Sequence, residues 1–450
     1  MANPFPDTLF QLISSMEKSE KRHFKLYIKR SSAKEDLKVV RLFDAMDKLP
    51  EYDEKLIFKK LSGVTKPQLY NLKTHLYKQL LASLRLLKTN ENTDLKLSEH
   101  LDNARLLYNK GLKLQSLHIL EKAKELAKAN HKFNFLVQVI SLEKKIETLH
   151  ITRSTLEKTL QLTNEASENS DHIDRVTRLS NLALLLYRWY VKNGHARNSQ
   201  DEKEIQDFFK NSLPPQPEAI NGFYEKLYLY QSYCWYSYIR QDFLMYYRYS
   251  QKWIDLFYNN EIMQSVETGH FIKGMHNLLN AHFVLRNYKQ FEISLRQFEE
   301  FSHNPVANLH DNFRTHTSIY INSARINQYL MKGKFNNGLL IVPEVLGKLK
   351  EYSLYVDSHR ILVFNYKISS LYFGAGYYSK AIDFLHKIIH DNQHGLRNDL
   401  QCYARLMHLL CHYEIGNEEI LDSLIKTVYR FMAKMKNLTV VEEEIFKFLR

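Results

Sequence analysis

Glycine and proline are scarce: the 450 residues hold 13 and 9 of them, less than about half the usual share of each. Turn-rich all-β sandwiches and barrels are excluded on that ground. Cysteine is scarcer still. Cys234, Cys402 and Cys411 are too few for a disulfide framework and fit a reducing compartment. No long apolar run occurs either: the longest, Leu182 to Tyr187, has six residues against the roughly 20 that a bilayer span requires. The opening MANPFPDTLFQLISSM places Asp7 ahead of any lysine or arginine and lacks the apolar core of a secretory signal, so a cytoplasmic protein is expected.

The sequence motifs of common enzymes are also missing. There is no Gly-x-x-x-x-Gly-Lys-Ser/Thr phosphate loop, and Gly374-Ala375-Gly376 lacks the third glycine of a dinucleotide turn. Neither His-Glu-x-x-His, Gly-x-Ser-x-Gly nor Cys-x-x-Cys is present. His386, His390 and His394 recur at a four-residue spacing near Asp391, which on a helix would stack imidazoles on one side. Gly395 ends that helix and no further ligand is evident, so they read as surface histidines. The group Cys402, His408, Cys411 and His412 fits no zinc spacing and reads as small core cysteines with neighbouring histidines. The expectation is therefore a protein that is not an enzyme and that needs no cofactor and no metal.

What is abundant is helical periodicity. Leu69, Leu72, Leu76, Leu80, Leu84 and Leu87 recur every three or four residues, and comparable patterns fill nearly every stretch between Gly, Pro and Asn breaks. One phrase repeats: Gly376-Tyr377-Tyr378-Ser379-Lys380-Ala381 closes one helix and opens the next. Gln241, Arg286, Gly333 and Gly416 align with Gly376, at successive offsets of 45, 47, 43 and 40 residues. An aromatic residue follows two places later at Phe243, Tyr288, Phe335 and Tyr378. Five, nine and twelve places after the turn stand Phe291, Leu295 and Phe298 in one unit, Gly338, Val342 and Val345 in the next, and Ser116, Leu120 and Ala123 after Gly111. That spacing predicts a second helix whose one face packs back on its predecessor.

The Gly-x-Tyr-x-x-Ala turn at Gly376, Tyr378 and Ala381, with Gly333, Phe335 and Gly338 as a variant, resembles the tetratricopeptide repeat. The period departs from it, since a standard repeat has about 34 residues. The resemblance is thus to a degenerate array, and it implies an all-α right-handed solenoid of helix pairs. The expected organisation is a basic helical module over residues 1–90, repeats over 91–434 with a joint near 199–221, and a capping helix over 435–450.

In such stacks the first helix of each pair lines the concave face through the residues ten and six places before the turn. The resemblance then assigns Gln231 and Trp235, His276 and Asn280, Ser323 and Asn327, and Tyr366 and Ser370 to a groove for a peptide or protein. Asparagine amides can donate to and accept from an extended backbone, and Tyr and Trp supply rigid contact area. A non-enzymatic scaffold holding a partner on that face is the functional expectation.

Charge suggests the alternative. The chain carries 63 basic and 50 acidic residues, a net of +13, and 18 basic against 10 acidic fall within residues 1–90. The segment from Ile57 to Leu76 resembles a helix-turn-helix, with Gly63 as the turn and Lys66, Asn71 and Lys73 at the start of a recognition helix. Joined to repeats, it resembles bacterial peptide-sensing transcription regulators. Burial of the helix from Lys66 to Leu87 on most sides, covering Tyr70 and Asn71, is expected instead, because its leucines occupy so much of its circumference.

Overall fold

The computed structural model describes residues 7–31, 34–61, 63–149, 155–196, 198–353, 355–390, 398–435, 438 and 440–449. Among them every regular element is helical and no strand occurs. The chain forms two compact units, Met1–Ile173 and Asp174–Arg450.

In the first unit α1 (Thr8–Ser15), α2 (Lys18–Ser31), α3 (Lys34–Asp47), α4 (Glu54–Lys60) and α5 (Lys66–Lys88) enclose one apolar core. Leu69, Leu76 and Leu80 of α5 close it against Leu9, Ile13, Phe24, Phe43 and Met46. A second core is built by α6 (Thr93–Asn109), α7 (Lys113–Ala129), α8 (Phe133–Leu149) and the start of α9 (Leu156–Asn193).

The second unit takes the remainder of α9 and then α10 (Ser199–Ser212), α11 (Phe223–Ile239), α12 (Phe243–Tyr258), α13 (Ile262–Val266), α14 (Thr268–Val284), α15 (Tyr288–Ser302) and α16 (Asp311–Met331). It continues through α17 (Phe335–Leu339), α18 (Val342–Glu351), α19 (Ser358–Gly374), α20 (Tyr378–Ile389), α21 (Asn398–Ile415), α22 (Glu418–Lys434) and α23 (Val440–Leu449). Sequence neighbours are also space neighbours: α11 packs on α12, α12 on α14, α19 on α20, α20 on α21 and α21 on α22.

The helix ends explain the pairing. Gly111, Gln241, Arg286, Gly333, Gly376 and Gly416, the aligned turn residues, all have positive φ, from 53° to 79°. At each, the turn residue's N–H donates three residues back and the next N–H five back, as in Gln241 N to Tyr238 O at 3.2 Å and Asp242 N to Ser237 O at 2.9 Å. This is the Schellman end of a helix, which satisfies carbonyls that would otherwise lack donors. The following helix then buries the expected face: Phe291, Leu295 and Phe298, Val342 and Val345, Ala381, Leu385 and Ile388, and Ser116, Leu120 and Ala123 are all at most 4% exposed.

Gln241 and Arg286 hold a left-handed conformation that glycine adopts without steric cost. Gln241→Gly and Arg286→Gly are each expected to raise stability by up to about 1 kcal/mol, read as a higher urea midpoint. Gly376→Ala should shift it the other way. A fall for both glycine variants would mean that their side chains hold the turn through contacts.

Three details differ from a uniform array. The segment 199–221, expected as a joint, lies inside the second unit, where Ile205 and Phe209 of α10 pack against Leu182, Leu186 and Ile239. The second helix of the pair after α16 is broken in two between Leu339 and Val342, and Pro343 occupies the first turn of α18. At the C-terminal end Phe446 of α23 is 2% exposed in a core with Ile425, Val428 and Met432.

Candidate functional site

Within the second unit one cavity of about 480 Å³ is walled by alternate helices: α9, α11, α14, α16, α19 and α21. Each is the earlier member of its pair, and the partner helices α12, α15 and α20 contribute only Tyr246. Five of the eight residues assigned from sequence meet there: Trp235, His276, Asn280, Ser323 and Tyr366. The other three do not line it. Gln231 is 4% exposed and bonds the His270 ring at 3.1 Å, Asn327 is 5% exposed, and the Ser370 hydroxyl donates to Tyr366 O on its own helix at 2.8 Å.

The wall is aromatic and basic. Tyr187 and Tyr190 pack on Trp235 with centroids 4.6 and 5.7 Å apart. The Lys273 ammonium lies 4.9 Å from the Tyr187 ring centroid and 5.5 Å from that of Trp235. His276 stacks flat on Tyr320, 4.0 Å between centroids at 12°. Arg360 covers the same Tyr320 ring at 5.6 Å, donates to its hydroxyl at 3.2 Å, and pairs with Asp357 at 3.1 Å. The Lys367 ammonium donates to Ser323 Oγ at 2.5 Å. Asn280 donates to the Tyr246 hydroxyl at 3.4 Å, which donates in turn to Asn277 Oδ1 at 3.2 Å.

Desolvation sets the charge states. It pulls Lys367 down to about 7 and lowers Lys273, on which Arg360 adds repulsion. Burial, with the positive charges of Lys367, Arg360 and Lys273 added, takes His276 down to about 3, so its ring is neutral at pH 7. Tyr366 is pushed up to about 12 by burial. The cavity is therefore an aromatic chamber with cationic donors and a neutral imidazole.

Lys273, Arg360 and Lys367 are absent from the residues assigned by sequence. A signal for the first existed: one helical turn beyond the ten-residue offset, thirteen before each turn, stand Tyr228, Lys273, Tyr320, Val363 and Tyr403. All but Tyr228 line the cavity.

In the first unit the expected burial of α5 is corrected. Its apolar face closes the core, but Tyr70 is 73% exposed and Lys66 and Asn71 are exposed as well. The leucines that take up so much of its circumference are not all covered, since Leu81 and Leu86 also face solvent. Leu69, Leu76 and Leu80 pack inside the module's own core, with Leu72 against it. Lys73 is half-buried, ion-paired to Asp7 and bonded to the Tyr52 hydroxyl at 3.0 Å.

The histidine groups lie on α20 and α21. His386 Nε2 is 3.1 Å from His408 Nε2, which is 3.3 Å from His412 Nε2. His394 and Asp391 fall outside the described residues. Among the described residues no group of three or more His, Cys, Asp or Glu side chains is arranged to hold a metal ion. Cys402 and Cys411 are fully buried in apolar cores, and among the described residues no helix is long and apolar enough to cross a membrane.

No protein-family model matches the chain, and no curated protein matches it.

Proposed function

We propose that the chain is a cytoplasmic, non-enzymatic scaffold, a right-handed tetratricopeptide-like solenoid that holds a peptide or protein partner on its inner face. It uses no cofactor and no metal. One observation carries this reading: residues at equivalent offsets on successive first helices converge on a single cavity, as the lining of a groove does. The recurring Schellman turns support the repeat, because they deliver each second helix at the same point of its pair. The polar and aromatic side chains of the wall suit a chain with both backbone and side-chain contacts.

The alternative, a DNA-binding regulator, draws support from the exposed Lys66, Tyr70 and Asn71 at the start of α5. It loses Lys73, whose ammonium is committed to Asp7 and Tyr52. The scaffold reading is preferred because more of its residues share one place.

Partner recovery from native lysate tests it. The double variant Asn280→Ala, Tyr366→Ala is expected to recover at least about fivefold less of the same partner. Leu340→Ala, at a residue 78% exposed away from the cavity, should change nothing. Equal recovery by the cavity variant would reject this groove.

A further inference from the structure

We infer that Lys273, Arg360 and Lys367 form a binding site for a phosphate monoester carried by the ligand in the cavity. The proposal deepens the groove reading and rests on it for the remainder of the ligand, though not for the phosphate.

Three cations from two helices, α14 and α19, line one cavity together with His276, and the positive charge of each lowers that imidazole. Gathering like charges in a partly desolvated chamber is unfavourable, and folding alone gives no reason for it. Their counter-charges are unequal. Arg360 has Asp357 at 3.1 Å. Lys273 has two aromatic rings and Lys367 has Ser323, and neither ammonium has a carboxylate partner among the described residues. The remaining carboxylate on the wall, Asp399, bears on Tyr366 and on neither lysine. Once both lysines are protonated, as ligand binding leaves them, they carry two positive charges, which a dianionic phosphate ester balances and a single carboxylate does not.

Geometry favours the same group. A carboxylate is best taken by a guanidinium fork, whereas each terminal nitrogen of Arg360 already has a contact, one with Asp357 and one with the Tyr320 hydroxyl, and keeps one further N–H for the ligand. The other two cations are ammonium point charges on different helices of the same wall, donors that suit a tetrahedral oxyanion. The Ser323 hydroxyl, held by Lys367, adds a neutral donor.

Calorimetric titration of the full chain with sodium phosphate tests it, with sodium acetate in parallel. Phosphate is expected to bind one to one and acetate not to bind. Lys273→Met and Lys367→Met should each weaken phosphate at least about tenfold, while Lys380→Met, at an exposed position on α20, leaves it unchanged. Circular dichroism checks that each variant is folded, and Lys367→Gln serves if Lys367→Met is not.

A second readout follows from the chemistry of Lys367. Besides the tyrosines, the charged and titratable groups that line the cavity with it are His195, Lys273, His276, Asp357, His359, Arg360 and Asp399. Because Lys367 is half neutral near pH 7 when the cavity is empty, phosphate binding at pH 8 should take up about one proton. Titration in two buffers of different ionisation heat measures this, and Lys367→Gln should abolish it.

Absence of phosphate binding, equal binding of acetate, or full affinity in both lysine variants would overturn the site. A phosphoserine peptide bound more tightly than inorganic phosphate supports a modified partner chain; equal affinity supports a free phosphate ester. If phosphate fails while the cavity double variant still loses its partner, the groove survives without the phosphate site. The converse result removes the groove reading alone.

Discussion

Lys124→Met is expected to destabilise the first unit by about 3–5 kcal/mol, the usual loss when one member of a buried ion pair is removed. Lys124 on α7 lies 2.5 Å from Glu143 of α8 and 3.1 Å from Glu165 of α9, with side-chain exposures of 11%, 6% and 18%. Lys128 completes the group by pairing with Glu165. Burial pushes the Glu143 carboxyl above its usual range in spite of Lys124. Burial would also raise Glu165, but the hydrogen bonds from Lys128 and Lys124 outweigh it and hold it low. Desolvation likewise opposes charge on Lys124, and the two carboxylates overcome it.

Removing the ammonium leaves Glu143 buried and uncompensated, whereas Glu165 retains Lys128. Two checks follow. Adding Glu143→Leu to Lys124→Met should recover most of the loss, since a pair replaced by apolar groups is often neutral. The loss should also shrink on acidification, because protonating Glu143 removes the charge that lacks a partner. Hydrogen exchange over α6 to α8 reads the effect within this unit. A loss below about 1 kcal/mol would mean that water solvates the carboxylates as on an open surface.

The same group shows where the sequence was legible and where it was not. Helices and their paired turns could be read, because the Schellman end needs a left-handed residue and the next helix needs a small or apolar face at five, nine and twelve places. Gln241 and Arg286 came out by register alone, without glycine. His131, with φ 54°, was missed at the link between α7 and α8. Twelve places after it the face carries Glu143, and nothing local in the sequence reveals that Lys124 neutralises it from a neighbouring helix.

The cavity was half legible for a related reason. Sequence spacing fixes which side of a helix a residue occupies, but the rotation of each helix against the next decides whether that side reaches the chamber. Asn327 belongs to the pair whose second helix breaks before Pro343, and it is buried away from the cavity. A basic residue on a helix face is ordinarily solvated, so spacing alone does not mark Lys273 or Lys367 as part of a groove. Only the packing of α9, α11 and α14 places Lys273 above two aromatic rings.

Acidification should weaken the second unit over a defined window. His270, His276 and His282 on α14 and His408 on α21 all bind a proton less readily when folded, and burial is the leading cause at each. His270, His282 and His408 are brought to about 4 and His276 to about 3, from an ordinary value of 6.5. Lys273 adds to the effect at His270, and His412, His386, His390 and Arg405 add to it at His408. Since these groups take a proton in the unfolded chain first, unfolding is accompanied by proton uptake between pH 6.5 and about 4. Their contribution is complete above 6.5 and is lost as the pH falls through that interval.

The thermal midpoint of the second unit is therefore expected to drop on the order of 10 °C between pH 7.5 and pH 5, with most of the change below 6.5. His282 offers the sharpest control. It is 1% exposed, packs 5.1 Å from the Tyr247 ring, and has no charged neighbour that contributes to its shift. His282→Gln should reduce the proton uptake on unfolding by about one at pH 5, whatever it does to stability at pH 7.5. An unchanged proton count in that variant would show that its imidazole is reached by water and protonated while the unit is still folded.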